Sequence, residues 1–436
     1  MTINRSVLIV GSGGREFALA QRFSEEPTVS QILVVPGNPA MQRHIRCVCI
    51  EGHVPTIAQQ YGVDLVIIGP EKPLVEGLAD ELRALQIPVV GPSKSASILE
   101  ASKIASKQFM MDMEIPTVKS EWYDSPESAI EGLENWSAED GVVIKSDALA
   151  GGKGVVLCDS LTEAETVVMD FMVNPAVTVQ TDRILLEEKL YGVEVSAFAL
   201  CDGQEWISLG LACDHKRVGE EDTGQNTGGM GAFTPDEFLT PHQRLEIERI
   251  FDAVVSGMAL RGTPFQGILF AGLMIHSDGV RPGSSDQVAV LEFNIRLGDP
   301  EAQVLLPTLE GRLFDACYAA ANGTLRNNEF VFERSTYAVH VVAAAQGYPS
   351  IDGSPIDQGS VIRIEELPKG ASVVFSGVSI QREQLTTKGG RVLGITGIAN
   401  SLEEARELAY QGMDRIHFDG MHFRRDIASP NRMRVR

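Results

Sequence analysis

Polar side chains alternate with apolar ones along residues 290–301 of the sequence. Successive side chains of an extended strand point to opposite faces, so Glu292, Asn294 and Arg296 would share one face. Carboxylate and amide oxygens are ligands that Mg²⁺ takes together with substrate phosphates, and a guanidinium beside them suits a carboxylate or a phosphate. An ordinary amphipathic strand with a solvated polar face has the same pattern. Residues elsewhere in the chain must decide between these interpretations.

A glycine-rich loop flanked by two lysines is the second candidate group. Residues 142–156 read as a strand, a loop of small residues and a second strand, with Lys145 before the loop and Lys153 inside it. Glycine allows such a loop to move and exposes backbone N–H groups, so the loop could close over a triphosphate. It is not a Walker A loop, because Gly154 follows Lys153 and a strand comes next. The alternative is a flexible hairpin turn.

Charged residues also lie at the end of one predicted strand and on one predicted helix. An apolar strand ends in Glu187 and Glu188, which could offer backbone groups to an adenine edge and a carboxylate to ribose hydroxyls. A surface strand end would look similar.

Lys103 and Lys107 lie four positions apart on a predicted helix and share one face. For that pair alone, a solvated helix face is the simpler interpretation.

The first hundred residues alternate strands with helical segments such as residues 74–84, which predicts an open parallel α/β sheet. Ligands of such sheets bind at the carboxyl ends of the strands. The first strand runs into a glycine loop at residues 11–16, where backbone N–H groups can approach a phosphate. Glu16 replaces the third glycine of the dinucleotide fingerprint, and the next strand offers no acid for an adenosine ribose. We therefore expect a phosphate ester rather than a nicotinamide cofactor, with Arg15 as a counter-charge.

Composition limits the class of protein. A chain of 436 residues exceeds one core and predicts roughly two to four domains. The net charge of −22 argues against a non-specific nucleic-acid binder. The six cysteines form no C-x-x-C pair and fit a reducing compartment. Because the sequence has no signal-like leader and no run of about 18 apolar residues, we expect a cytoplasmic protein without a membrane span.

Taken in chain order, these motifs resemble the ATP-grasp superfamily and, more closely, its phosphoribosylamine–glycine ligase family. The most distinctive segment is residues 214–232, which opens with Asp-His-Lys-Arg-Val-Gly and closes with Gly-Gly-Met-Gly-Ala. Phe17 departs from the family, which usually has a histidine there. The resemblance extends over nearly the whole chain through shorter segments at residues 11–16, 36–38, 69–71, 91–92, 102–103, 298–301 and 389–393.

The resemblance implies an α/β and α+β multidomain fold. Residues 1–102 would form an N-terminal Rossmann-like domain with an open parallel sheet. Residues 103–325 would form a central ATP-grasp core, with a glycine-rich flap subdomain at about residues 117–190. Residues 326–436 would form a small C-terminal α+β domain.

The C-terminal region carries no cofactor motif. Residues 337–345 are expected to begin a region of alternating strands, residues 401–413 to form an amphipathic helix, and residues 423–427 to form a last strand. We expect this region to pack beside the central core and to close the amine site.

The family joins glycine to 5-phosphoribosylamine at the expense of ATP, giving glycinamide ribonucleotide, ADP and phosphate in purine synthesis. ATP first phosphorylates the glycine carboxylate, and the amine then attacks the glycyl phosphate. The resemblance thus implies ATP, glycine and 5-phosphoribosylamine as small-molecule partners and Mg²⁺ or Mn²⁺ as cofactor. It also implies a monomer or weak dimer that binds neither nucleic acid nor a membrane.

The resemblance further implies roles for individual residues. The metal ligands would be Glu292 and Asn294. The nucleotide would be bound by Lys107, Lys145, Gly151, Gly152, Lys153, Gly154, Glu187, Glu188 and Glu194, and which acid meets the ribose stays open. Glycine and its acyl phosphate would meet the catalytic residues Arg296, Asp214, Lys216, Arg217 and Asp299. The ribosylamine would be bound by Gly13, Arg15, Glu16, Asn38, Glu71, Gly229, Met230 and Gly231. His215 could be a general base or simply a polar residue of the substrate loop.

Three rival functions fit part of the sequence. Another ATP-grasp ligase, biotin-carboxylase-like or formate-dependent, is disfavoured by the 214–232 segment and the 11–16 loop. A dehydrogenase is disfavoured by the missing third glycine and the missing ribose acid. A catalytically silent ATP-binding regulator is disfavoured by the candidate ligands and lysines, Glu292, Asn294, Lys145 and Lys153.

Overall fold

The structure of the protein is a computed structural model. It describes residues 4–136, 141–149, 154–174, 179–235, 239–276, 278–279, 286–326, 329–350 and 354–430.

The N-terminal part folds around a parallel sheet. Its strands are β1 (Arg5–Gly11), β2 (Val29–Pro36), β3 (Val48–Cys49), β4 (Leu65–Ile68) and β5 (Val89–Val90), and the intervening helices are α1 (Gly14–Ser24), α2 (Met41–His44), α3 (Val54–Tyr61), α4 (Glu71–Glu76) and α5 (Leu78–Ala84). The strand order is β3-β2-β1-β4-β5, and every pair is parallel. Continuous apolar strands suit this arrangement, because helices cover both faces of a parallel sheet. The predicted open parallel sheet is confirmed.

The helical stretch predicted at residues 74–84 is interrupted. Gly77 has a φ of +101°, which glycine adopts without steric cost, and it separates α4 from α5. The prediction of one helix there was wrong, because a left-handed residue cannot continue a right-handed helix.

The glycine-rich loop belongs to a four-stranded antiparallel sheet with its own apolar core. Two short helices, α6 (Ile98–Ala101) and α7 (Lys103–Asp112), lead into it. The strands and helices are β6 (Ser120–Tyr123), α8 (Pro126–Leu133), β7 (Val142–Ser146), β8 (Val155–Cys158), α9 (Leu161–Met172) and β9 (Ile184–Glu187). The order is β6-β9-β7-β8, and the antiparallel pairing of β7 with β8 confirms the two strands predicted at the ends of residues 142–156.

A long antiparallel sheet forms the rest of the core. The remaining strands are β10 (Val193–Asp202), β11 (Trp206–Asp214), β12 (Gly231–Phe233), β13 (Gln266–Ile275), β14 (Val288–Asn294), β15 (Tyr337–Ala344), β16 (Arg363–Ile364), β17 (Ala371–Phe375), β18 (Val378–Gln381), β19 (Gln384–Thr387), β20 (Arg391–Ala399) and β21 (Ile416–His417). The remaining helices are α10 (Pro241–Leu260), α11 (Ala302–Leu305), α12 (Leu313–Ala321) and α13 (Leu402–Met413), with short 3₁₀ turns at Glu220–Asp222 and Leu306–Thr308. Eight strands pair in the order β14-β13-β10-β11-β12-β15-β20-β17.

The pairing of β12 with β15 carries this sheet from the central core into the C-terminal region. The predicted strand at residues 337–345 and the helix at residues 401–413 are confirmed as β15 and α13. The predicted last strand at residues 423–427 was wrong, because that backbone bonds to α13 side chains and to a distant loop. The domain boundaries at residues 102 and 325 stay predictions.

No helix in the described part of the chain is both long and apolar enough to cross a membrane.

Candidate active site

The end of β14 presents the predicted polar face. In its antiparallel register with β13, Glu292 lies opposite Gly272 and Asn294 lies opposite Phe270. A Cβ at Gly272 would lie 3.3 Å from the Glu292 Cγ, so the glycine leaves room beside the carboxylate. Phe293 is buried on the other face, as the alternation predicted. Glu292 and Asn294 therefore offer two hard oxygen donors two positions apart, a donor set that suits Mg²⁺ or Mn²⁺.

Four cationic side chains surround Glu292. Burial alone would raise the pKa of this carboxyl, but the charges of Lys216, Lys145, Lys103 and Arg296 outweigh burial and lower the pKa to about 2. The carboxylate is thus ionised at neutral pH and stands in a positive field. Such a cluster of cations can hold a polyanion next to a carboxylate. Neither a solvated strand face nor a hairpin turn would need positive charge concentrated at this point.

Lys103 is a candidate that sequence spacing alone could not separate from Lys107. Its Nζ donates a hydrogen bond to the Ala148 carbonyl at 3.2 Å, at the described edge of the glycine loop. Burial lowers the pKa of Lys103, while the Glu292 charge opposes that shift. Ser102 caps the helix that carries it, because its hydroxyl accepts the Ala105 N–H at 3.1 Å, and the Asp147 carboxylate accepts the Ile104 N–H at 3.1 Å. Lys103 is thereby fixed between the loop and β14, the strand of the candidate metal ligands.

Lys107 and Lys145 share one buried counter-ion. Glu187 Oε1 lies 2.8 Å from Lys107 Nζ, and Glu187 Oε2 lies 2.7 Å from Lys145 Nζ. Burial would raise the pKa of Glu187, but Lys145 and Lys107 hold it below its usual range. Lys107 also donates to Thr117 Oγ1 at 2.7 Å, and Lys145 donates to the Leu291 carbonyl at 3.0 Å. The structure thus joins three predicted nucleotide-binding residues in one charged group.

The two other acids predicted for the nucleotide have different partners. Glu188 Oε1 accepts the Lys119 backbone N–H at 2.8 Å. Glu194, near the start of β10, forms an ion pair with Lys216. Which acid meets an ATP ribose therefore stays open.

Arg296 is held by two carboxylates from the N-terminal part of the chain. Its Nη2 lies 2.8 Å from Glu100 Oε1, and its Nε lies 3.4 Å from Glu71 Oε2. Glu100 Oε2 also accepts the Ile295 backbone N–H at 2.8 Å. The same Nη2 donates to Asn294 Oδ1 at 3.3 Å, so Arg296 orients the second candidate metal ligand. Sequence reasoning missed Glu100, whose only signal is an acid within the short α6 helix.

The N-terminal glycine loop is closed by Glu16. Its Oε2 accepts the Gly13 N–H at 2.7 Å as a helix cap, and its Oε1 lies 2.6 Å from Arg15 Nε. A Cβ at Gly69 would collide with this carboxylate, so it lies directly over the end of β4. Arg15 Nη1 donates to the Leu297 carbonyl at 3.1 Å. An acid at this point disfavours a dinucleotide pyrophosphate.

Asp299 joins that loop to the C-terminal region. Its Oδ2 accepts the Arg15 backbone N–H at 3.4 Å, and its Oδ1 lies 3.4 Å from Arg391 Nη1. Burial would raise the pKa of Asp299, but Arg391 and Arg15 hold it below its usual range. Arg391 Nη1 also donates to the Gly228 carbonyl at 2.5 Å. Arg391 lies in the 389–393 motif and was given no role from sequence.

Four predicted ribosylamine residues have structural contacts here. Asn38 donates through Nδ2 to the Ser12 carbonyl at 2.9 Å and accepts the Ala40 N–H at 3.0 Å. Gly229 has a φ of +109°, and a Cβ there would collide with the Pro300 ring. Met230 is buried and Gly231 begins β12. Gly229 fixes the loop next to Asp299, whereas substrate contacts for these residues stay predictions.

The distinctive 214–232 segment starts at the end of β11, where Asp214 pairs with Ala232. His215 is completely buried, and its Nε2 lies 3.2 Å from the Ala428 N–H that donates to it. His215 thus has no exposed surface, and which of its two suggested roles applies stays open. Arg217 donates through Nη1 to the Gly224 carbonyl at 2.7 Å and closes its own loop.

The glycine-rich loop is only partly described. Gly151, Gly152 and Lys153 lie outside the described residues. Gly154 is described, and its carbonyl accepts the Ser146 N–H at 2.9 Å, which continues the pairing of β7 with β8.

Comparison with known proteins agrees with these motifs. Family profiles for phosphoribosylglycinamide synthetase match residues 5–100 (N domain), residues 101–302 (ATP-grasp A domain) and residues 338–430 (C domain). A phosphoribosylamine–glycine ligase from Caldanaerobacter subterraneus subsp. tengcongensis is 39% identical over 430 residues, covering 97% of this chain and 99% of that relative. Its counterpart from Escherichia coli O6:H1 is also 39% identical over 430 residues, 97% of each chain.

Solved structures agree at the level of the fold. The crystal structure of phosphoribosylamine–glycine ligase from Thermotoga maritima superposes with a TM-score of 0.83 at 31% identity, covering 97% of this chain and 100% of that one. A biotin carboxylase domain from Hydrogenobacter thermophilus, in complex with MgADP, has a TM-score of 0.67 at 16% identity and covers 96% and 91% of the two chains. The second likeness shows the shared fold alone. The multidomain fold class predicted from sequence is confirmed, and the chain belongs to the phosphoribosylamine–glycine ligase family.

Proposed function

We propose that this protein joins glycine to 5-phosphoribosylamine with ATP, giving glycinamide ribonucleotide, ADP and phosphate in purine biosynthesis. The observation that carries the proposal is the placement of Glu292 and Asn294 at the end of β14, with Lys145 bonded to the Leu291 carbonyl, Arg296 bonded to Asn294 and the charge of Lys216 acting on Glu292. Oxygen donors beside cations suit a metal, a triphosphate and a substrate carboxylate together. Family membership identifies the two substrates that such a site would join.

The reaction needs an activated glycine carboxylate, since a free carboxylate is a poor acylating agent. We propose that the carboxylate attacks the γ-phosphorus of ATP, which forms glycyl phosphate and releases ADP. The amine of phosphoribosylamine then attacks the acyl carbon and displaces phosphate. No side chain forms a covalent bond in this scheme, so catalysis rests on positioning and electrostatics.

The residues divide this work among three groups. Lys103 and Lys145 would hold the phosphates, and the loop that ends at Gly154 would cover them. Lys216 and Arg296 would balance the charge that develops on the acyl phosphate, as preorganised cations do in a water-poor site. The catalytic roles of Asp214, Arg217 and Asp299 stay part of the proposal.

Glu292 and Asn294 would hold a divalent ion, which supplies charge neutralisation at the phosphates when it is bound. Their oxygen donors fit Mg²⁺ and Mn²⁺ alike, and we propose either ion as the cofactor. We also propose a cytoplasmic monomer or weak dimer whose partners are its small-molecule substrates. The three domains would divide near residues 102 and 325.

The test is ADP release with ATP, glycine and freshly prepared phosphoribosylamine, with each substrate omitted in turn. We expect ADP release to require glycine, and formation of glycinamide ribonucleotide to require all three substrates. ADP release that is indifferent to both glycine and phosphoribosylamine would refute the ligase function and would leave an ATPase or a regulator.

A further inference from the structure

Two segments distant in sequence are bonded together beside the candidate site. We name residues 422–428 the C-terminal clasp and residues 215–222 the Lys216 loop. Four hydrogen bonds each join a backbone atom of one segment to a side chain of the other: His422 Nε2 with Val218 O at 3.0 Å, Arg425 N with Glu220 Oε1 at 3.0 Å, Glu221 N with Asp426 Oδ2 at 2.9 Å, and Ala428 N with His215 Nε2 at 3.2 Å. The Lys216 loop is thus held along its whole length.

Arg424 is the centre of this contact. Its guanidinium is completely buried and binds both carboxylate oxygens of Asp426, at 2.8 Å through Nε and at 2.6 Å through Nη2. Its Nη1 donates to Asp222 Oδ1 at 3.0 Å and to the Arg217 carbonyl at 2.9 Å. Only a guanidinium supplies this many donors in a fixed plane, so lysine could not reproduce the set.

The clasp itself is anchored on α13. The Tyr410 hydroxyl donates to the Arg424 carbonyl at 3.0 Å and accepts the Ile427 N–H at 3.0 Å. Arg406 Nη2 donates to the Arg425 carbonyl at 2.8 Å. Because α13 packs on β15 and β20, it fixes the position of the backbone that carries the Arg424 side chain.

The other end of the Lys216 loop reaches the candidate site. The Lys216 carbonyl accepts the Thr227 N–H at 2.7 Å, and the Lys216 ammonium pairs with Glu194. The same ammonium is the largest of the charges that keep Glu292 ionised. Arg424 donates to the carbonyl of Arg217, the residue next to Lys216. A shift of Arg424 would therefore move the backbone that carries the Lys216 side chain.

We infer that Arg424 is a positioning residue that fixes Lys216 beside Glu194 and Glu292 through the Arg217 carbonyl and the Asp222 carboxylate. Its consequence for catalysis rests on the proposed function. The C-terminal clasp, which touches neither candidate metal ligand in the described residues, thereby sets where the Lys216 charge stands.

The experiment compares four single variants of the full chain with the wild type. Asp222→Ala removes a partly exposed carboxylate that Arg424 holds, and Asp222→Asn keeps an oxygen acceptor at the same place. Arg425→Gln is the matched control, because its side chain is exposed while its backbone contacts remain. Arg424→Gln is added as a stronger change. Hydrogen exchange of peptides spanning residues 214–231 and steady-state kinetics are measured for each.

We expect faster exchange in residues 214–231 and an approximately tenfold lower kcat for Asp222→Ala, with the KM for ATP unchanged within about twofold. Asp222→Asn should restore most of both, and Arg425→Gln should match the wild type. Unchanged exchange and kcat in Asp222→Ala would overturn the inference even if Arg424→Gln fails to fold. A wild type without glycine-dependent ADP release would refute the proposed function, whereas the exchange data would still decide whether Arg424 positions the loop.

Discussion

Lys107 Nζ lies 2.8 Å from Glu187 Oε1, and both side chains are almost completely buried. Lys103, one turn earlier on α7, instead reaches the Ala148 carbonyl beside the glycine loop. The two lysines share a helix face, as the spacing predicted, but they differ in their partners. Lys107 thus stabilises the buried Glu187 carboxylate together with Lys145, whereas Lys103 lies beside the loop and has no such buried carboxylate partner among the described residues.

Replacing Lys107 by methionine should destabilise the protein. The change leaves a buried Glu187 oxygen without its ammonium, which costs about 1–3 kcal/mol of unfolding free energy. Lys103→Met, which removes one of several like charges, should keep the stability and raise the KM for ATP about tenfold. Urea denaturation and ATP titrations of both variants check this. A Lys107→Met midpoint equal to that of the wild type would contradict the structural role.

Replacing Glu292 by alanine should abolish turnover in a folded protein. The charges of Lys216, Lys145, Lys103 and Arg296 act on its carboxylate, so its removal takes one negative charge out of this cationic cluster. We therefore expect kcat to fall by at least about 10²-fold, while ATP binds more tightly than to the wild type when EDTA removes divalent ions. Calorimetric titration with ATP in EDTA measures the second effect without any activity. Activity like that of the wild type would exclude Glu292 from the metal site.

Replacing Glu100 by glutamine should disturb the site through Arg296. The Glu100 carboxylate holds Arg296 Nη2 at 2.8 Å and the Ile295 N–H at 2.8 Å, close to the candidate ligand Asn294. Loss of this buried charge should lower stability by about 3–5 kcal/mol and reduce kcat. Glu71→Gln is the matched control, since Glu71 lies 3.4 Å from the same guanidinium and should cost less stability. Equal losses in both variants would show that Glu100 has no special role.

The parts of the site that sequence predicted are those built from neighbouring residues. Alternation along β14 brought Glu292 and Asn294 to one face, and glycine content marked the loop that follows Lys145. Glu100 escaped prediction because it meets Arg296 from 196 positions away. A short pattern cannot encode such a pair, since it depends on how the sheets pack.

The predicted strand at residues 423–427 is a second case in which contacts distant in sequence decide the structure. Residues 423–427 were predicted to form a last strand, yet Arg424 turns inward and is completely buried. Its partners Asp222 and Arg217 lie 202 and 207 positions earlier in the sequence. Hydrogen bonds from Arg424 to these residues replace a strand partner, and period alone does not reveal them.

His340 should make the protein less stable below neutral pH. It lies in β15, 1% exposed, with Nδ1 2.8 Å from Thr396 Oγ1, and burial lowers its pKa from 6.5 to about 3 despite the opposing charge of Asp299. Between these two pKa values the unfolded chain binds a proton that the folded protein excludes. The free energy of unfolding therefore falls as pH drops from 6.5 towards 3, by at most about 1.4 kcal/mol per pH unit, and His340 contributes no such slope above 6.5.

The pH effect of His340 can be isolated by a difference between variants. Wild type and His340→Gln are unfolded in urea at pH 7.5 and at pH 5.0. Over this range the remaining titratable groups, which both proteins share, should contribute equally to the pH dependence of the unfolding free energy. The wild type should lose about 2 kcal/mol more than the variant between the two conditions, because only the wild type carries the imidazole. His340→Gln is expected to be less stable at pH 7.5, since it alters a well-packed core, so the pH slope rather than the absolute stability decides. Equal slopes would show that the folded protein accommodates the His340 proton.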